Sequence, residues 1–194
     1  NPGSAHSFPS QFTVVGTTLF FRATGPNGTE LWRSDGTAAG TVEVRVSYTV
    51  SPGQVRIDYT ATTGRATPFN ITNHAYFNLD GEGSGTVDDH ELELTASAML
   101  PIDEVNLPTG EIRPVEGTAF DLRRRTRLGD AIDRPELATV GGLDHCWVLD
   151  GSVPSAELVD PAGGRRIRIR TNQPGVQVYT ANHGAGPLPR HGAV

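Results

Sequence analysis

"VEVRVSYTVSPGQVRIDYTAT" (Val42–Thr62) decides the fold class. Val42, Val44, Val46, Tyr48 and Val50 recur at every second position, with Glu43, Arg45, Ser47 and Thr49 between them. A period of two places the two sets on opposite faces of a β-strand, so a half-buried strand is expected. "SPG" (Ser51–Gly53) supplies turn chemistry, and "QVRIDYTAT" alternates again, which predicts a hairpin. The same alternation returns in "HELELTAS" (His90–Ser97), "RRIRIRTN" (Arg165–Asn172) and "VQVYT" (Val176–Thr180), separated by Gly- and Pro-rich turns. The one helical candidate, "RLGDAIDRPELATV", is interrupted by Gly129 and Pro135 and reads as loop with a short turn. The fold expected is all-β, a loop-rich sandwich of antiparallel sheets.

Bulk properties narrow the function. A chain of 194 residues suffices for one substantial core, or one domain with a short attached element. The net charge of −6 argues against a nucleic-acid partner, and no basic face recurs with interleaved aromatics. Arg123-Arg124-Arg125, flanked by Asp121 and Asp130, reads as a solvated loop. No apolar run approaches bilayer length, so no membrane partner and a soluble chain are expected. The single cysteine, Cys146, excludes an intramolecular disulfide and, beside Trp147, is expected to be buried and inert. The chain starts at Asn1 without a charged-then-apolar leader, which reads as a fragment or a trimmed product.

Residues 1–41 differ in texture. "ELWRSDGTAAGT" (Glu30–Thr41) resembles a repeat unit, ELWxSDGTxxGT, found in tandem in large bacterial surface proteins. One such unit cannot bury its own faces, so it should pair with the following β domain or be poorly ordered. The expected organisation is a repeat-like segment over 1–41 and a β-sandwich domain over 42–194.

Within "PFNITNHAYFNLDG" (Pro68–Gly81), an alternating run read as a strand, His74 admits three readings. It is a core histidine with satisfied hydrogen bonds, a metal ligand, or an acid–base group active near neutrality. No second His or carboxylate stands at i+2 or i+4, which disfavours the metal, and His90 with Asp88 and Asp89 forms a separate turn cluster. By themselves, Asp144 in its Gly-Gly turn reads as a turn cap and Gln177 as an outward strand position.

In order, the chain reads "TNHAYFNLDG", "DDHELELTA", "LPIDEVNLPTGEIRPVEGTAFDLR", "GGLDHCWVL", "GRRIRIRTNQPGVQVYTAN" and "PRHGAV". From about Val42 to Val194 this succession closely resembles the aldose 1-epimerases, or galactose mutarotases. The resemblance implies a large antiparallel β-sandwich with a sugar cleft, part of it present here. It implies interconversion of α and β anomers of hexoses such as galactose and glucose, without cofactor or metal. It casts His74 as the acid serving the ring oxygen, Tyr76 as a residue lining the sugar, and Asp144 and Gln177 as groups holding sugar hydroxyls. The family default is cytoplasmic, whereas the repeat-like segment is compatible with an extracellular location.

The sequence also departs from the family pattern. The resemblance places the general base in a Glu that follows "HG" after a few apolar residues; here the sequence reads "RHGAV". An Arg in an NRI-type motif and a His in an LHGG-type motif, expected upstream at the sugar, find no counterpart. Glu104, Glu111 and Glu116 lie in a block the family uses as loop and are poor substitutes for the base. The expectation is a truncated epimerase with little or no activity as this chain. The other readings are a non-catalytic carbohydrate-binding β module and a structural surface-protein fragment. Exposed strand edges would favour self-association. The sequons at Asn27 and Asn70 would matter only in a glycosylating pathway.

Overall fold

A computed structural model describes residues 10–15, 18–25, 28–34, 42–81, 83–138 and 140–181. Asn27, most of "SDGTAAGT" and the terminal "RHGAV" lie outside the described residues. The chain divides into two compact units, residues 1–73 and 74–194.

The first unit is a five-stranded antiparallel meander in the order β1-β2-β3-β4-β5. Its strands are β1 (Ser10–Val15), β2 (Thr18–Gly25), β3 (Gly28–Ser34), β4 (Val42–Ser51) and β5 (Gln54–Thr63). The β4–β5 hairpin forms over ten residue pairs, from Val42↔Thr63 to Ser51↔Gln54. Gly53 closes its turn at φ +72, a conformation open to glycine after Pro52. β3 pairs with Val42–Val44, so Gly28–Ser34 lies in the same sheet as β4.

The half-buried pattern holds for only part of β4. Val42 and Val44 are buried, but Tyr48 and Val50 are 60% and 76% exposed. Among the described residues, β3 pairs with β4 only as far as Val44, and beyond it the sheet narrows to the β4–β5 ribbon, which by itself covers little apolar surface.

The second unit contains two four-stranded antiparallel sheets, β13-β10-β7-β8 and β12-β11-β6-β9. Their strands are β6 (Glu91–Leu94), β7 (Ala98–Leu100), β8 (Arg113–Pro114), β9 (Thr126–Arg127), β10 (Asp144–Val148), β11 (Ala156–Val159), β12 (Arg166–Ile169) and β13 (Gly175–Tyr179). Leu92, Leu94 and Ala156 of one sheet and Met99 and Trp147 of the other meet in one core. Trp147 is fully buried, and its indole N–H donates to the Phe120 carbonyl at 3.0 Å. Pairing the indole in this way avoids the cost of an unmet buried donor.

The interrupted helical pattern becomes a five-residue helix, α1 (Leu128–Ile132), and a 3-10 turn at Pro135–Leu137. Each is too short to stand alone, but Leu128, Ala131 and Leu137 are buried in the core. The Arg123–Arg125 run is an exposed loop, as expected, and it also carries ion pairs. Arg123 pairs with Asp121 at 2.8 Å, and Arg125 with Glu157 at 2.5 Å. Glu157 of β11 also accepts from Arg168 of β12 at 2.6 Å, so arginines from two segments neutralise one carboxylate. Cys146 is half-buried rather than buried, and its burial pushes the thiol pKa up.

One further expectation fails. Pro68–Leu79 forms no strand. Exposure still alternates, with Ile71, Asn73 and Ala75 half-buried and Thr72, His74 and Tyr76 exposed, but the segment enters no ladder. Alternation predicts two faces; it does not supply a neighbouring strand. Asn70 accordingly sits exposed in irregular backbone, not in a strand.

Candidate active site

The site is assembled on one face of the β10–β13 pair. Gly141 and Gly142, at φ +69 and +145, turn the backbone through conformations that L side chains rarely adopt and deliver Asp144 as the first residue of β10. From there the period of two does the sorting. His145 and Trp147 point into the core, and Val176 and Val178 of β13 pack against it. Asp144, Cys146, Gln177 and Tyr179 therefore share the opposite face, with Asp144 across from Tyr179 and Cys146 across from Gln177.

Two polar groups meet there directly. The Gln177 carboxamide donates through Nε2 to Asp144 Oδ1 at 2.9 Å. This bond orients the amide, because only its nitrogen can donate to a carboxylate, and leaves the Gln177 carbonyl oxygen as an acceptor. A carboxylate has capacity for further donors beyond the one it receives from Gln177.

The irregular segment brings the rest. The Tyr76 ring lies against Tyr179, with centroids 6.1 Å apart in an edge-on arrangement, and the His74 ring lies 5.2 Å from Tyr76. His74, Tyr76, Tyr179, Asp144 and Gln177 thus form one connected group. The segment is secured behind the rings. Leu79 N–H donates to His90 Nε2 at 2.9 Å, and the Leu79 carbonyl accepts from Arg165. Asn78 starts the turn that follows, where Gly81 N–H donates to its carbonyl at 3.1 Å and Asp80 N–H to its side-chain oxygen at 3.0 Å.

The three histidines of the second unit's described residues separate cleanly by environment. His90 is 1% exposed and accepts a backbone hydrogen bond, so it is a satisfied core histidine. His145 is 4% exposed and packs edge-on against Phe120 and Trp147; desolvation by burial lowers its pKa and keeps it neutral. His74 is exposed, so the core reading weighed for it belongs to the other two. No group of three or more His, Cys, Asp or Glu among the described residues is placed to hold a metal.

The four residues singled out in the sequence are brought together, and Tyr179, which the sequence does not single out, lies among them. Its signal was present: it stands two positions after Gln177 in a strand, hence on the same face.

Residues 5–194 match the family model described as aldose 1-epimerase. The chain belongs to the aldose 1-epimerase family. It is 40% identical over 185 residues to the galactose mutarotase of Homo sapiens, covering 93% of this chain and 52% of that protein. It is 33% identical over 157 residues to the aldose 1-epimerase of Haemophilus influenzae, covering 79% and 46%. Among solved structures, it is similar to the galactose 1-epimerase of Lactobacillus acidophilus, with TM-score 0.66 and 27% identity over 89% of this chain and 50% of that one. This epimerase-family chain therefore spans about half the length of the relatives it matches. The antiparallel, nearly all-β architecture agrees with that structural likeness.

Proposed function

We propose that this chain carries the sugar-holding and acid side of an aldose 1-epimerase site, acting on a hexose such as galactose or glucose. The observation that supports this best is the connected group on the β10–β13 face, with an exposed imidazole at one end and a fixed carboxylate–carboxamide pair at the other. Sugars present vicinal hydroxyls that both donate and accept. A carboxylate beside an oriented carbonyl accepts from such hydroxyls, and the tyrosine rings offer flat apolar surface to the C–H faces of a pyranose.

In the proposed reaction, protonated His74 gives its proton to the ring oxygen while a base takes the C1 hydroxyl proton. The C1–O5 bond breaks, leaving a C1 aldehyde and a C5 hydroxyl. After rotation about C1–C2, His74 recovers its proton from the C5 hydroxyl as that oxygen attacks C1 from the other face. The base then returns its proton to the C1 oxygen. Each positioned proton transfer contributes on the order of 10²–10⁴-fold.

The resemblance assigns the base to a Glu that is not among these 194 residues. Groups that act as a unit are strongly non-additive. The 194-residue polypeptide assayed by itself is accordingly expected to bind sugar and to turn it over slowly. The β5 edge, paired only with β4 among the described residues, is where self-association is expected. Saturation-transfer NMR tests occupancy: galactose protons should receive saturation from the wild-type chain and not from Asp144→Ala. Equal transfer to both proteins would refute the assignment of the sugar to this face.

A further inference from the structure

We propose that Tyr179 is a positioning residue for the acid. Its ring, on the outward face of β13, seats Tyr76 and through it sets the direction of His74 relative to Asp144 and Gln177. The inference rests on the reading of His74 as the acid and adds what aims it.

The two halves of the candidate site differ in rigidity. Asp144 and Gln177 stand on paired strands, in continuous register from Asp144↔Tyr179 to Val148↔Gly175. His74 and Tyr76 stand on backbone that enters no ladder. An acid and a sugar-holding group work together only when their separation is fixed, and a misplacement of about 1 Å costs on the order of 100-fold. Something on the sheet must therefore hold the segment.

Among the described residues of the second unit, Tyr179 is a strand residue placed to do so. Asn73, one residue before His74, also donates through Nδ2 to the Tyr48 hydroxyl of β4 at 3.3 Å, which holds the backbone ahead of His74 and not the direction of the imidazole. Tyr179 is the cross-strand neighbour of Asp144, lies two residues from Gln177, and carries the ring against which Tyr76 sits at 6.1 Å. Tyr76 in turn lies 5.2 Å from His74, two residues away along the chain. The backbone bonds at Leu79 anchor the segment five residues past His74 and fix its end, not the direction of the imidazole. The edge-on Tyr76–Tyr179 geometry is directional, so replacing one ring with an aliphatic chain fills space without restoring the angle.

The test uses the 194-residue chain with 13C-labelled histidine, the His74 resonance being assigned by its loss in His74→Gln. Tyr179→Leu should move the His74 ring signals, Tyr179→Phe should return them close to the wild-type position, and Val178→Ala should leave them in place. Val178 lies on the same strand but packs toward the core, so it reports any general loosening. Should Tyr179→Leu fail to fold, Tyr76→Leu in protein 13C-labelled at both histidine and tyrosine reads the link from the other side and must move the His74 and Tyr179 signals together, the latter assigned by its loss in Tyr179→Phe. His74 signals unchanged in a folded Tyr179→Leu protein, or moved equally by Val178→Ala, would overturn the proposal. In any form of the protein that turns galactose over, Tyr179→Leu should lower kcat about tenfold or more with a smaller change in KM. Coupled histidine signals in a protein whose rate does not depend on His74 would overturn the acid assignment and leave the positioning intact.

Discussion

Gln177 and Asp144, 33 positions apart in the chain, are joined by a 2.9 Å hydrogen bond across neighbouring strands on the face opposite the core. The bond makes the pair a single acceptor unit, and it gives the first prediction. Gln177→Ala frees Asp144 to rotate, and Asp144→Asn removes the charge that orients the amide. Each should weaken galactose binding about tenfold to a hundredfold, in line with about 1.5–3 kcal/mol for a hydrogen bond to a charged group. The double variant should be little worse than Asp144→Asn alone, because the two act together. Titration calorimetry on the four proteins measures the cycle; strict additivity would show that the pair is not a unit.

His90 governs the fold behind the site. Its Nε2 accepts the Leu79 N–H, so His90→Phe leaves a backbone donor without its partner. The expected loss is about 1–3 kcal/mol of stability, read as a lower urea midpoint with unchanged slope. Since Leu79 closes the segment that bears His74, sugar affinity should fall as well.

Trp147→Phe tests the core in the same way. An aromatic ring is kept, though smaller than the buried indole, and the Phe120 carbonyl loses the indole N–H it accepts from at 3.0 Å. The expected cost is about 1–3 kcal/mol, whereas Trp147→Ala, which also opens a cavity, should cost about 3–5 kcal/mol. Chemical denaturation of both variants distinguishes the polar from the packing contribution.

Acid sensitivity should contain a contribution from Asp121. The side-chain hydrogen bond from Arg123 holds its carboxyl down at about 2, from an ordinary 3.8. A lowered pKa means stability that is fully present above about 3.8 and lost as the pH falls through about 2. Thermal unfolding between pH 5 and pH 2 should therefore show a shallower acid decline in Asp121→Asn than in the wild type. Parallel declines would place the acid sensitivity elsewhere.

The fold class was legible because short alternating runs dominate the chain, and β4, β5, β6, β12 and β13 lie largely within runs that alternate in the sequence, whereas β10, read as a turn cap followed by an apolar run, was not legible as a strand. Pairing partners were not legible. Nothing in "VEVRVSYTV" tells that pairing with β3 ends at Val44, or that Tyr48 and Val50 stay exposed. Nothing in "PFNITNHAYFNLDG" tells that it lacks a neighbouring strand. Three expected site residues, His74, Tyr76 and Asp144, fall in blocks distinctive enough to be singled out, and Gln177 came with its block. Tyr179 escaped because a tyrosine in a β-strand is an ordinary packing residue until Tyr76 is seen against it. The ordinary core histidines could not be told from the exposed one without knowing which face each strand buries.

Polarimetry of freshly dissolved α-galactose tests the central claim most directly, with the 194-residue chain and its His74→Gln variant compared against the same buffer alone. A small excess over the spontaneous rate is expected for the wild-type chain and none for His74→Gln. An excess of equal size in both proteins would contradict the assignment of His74 as the acid.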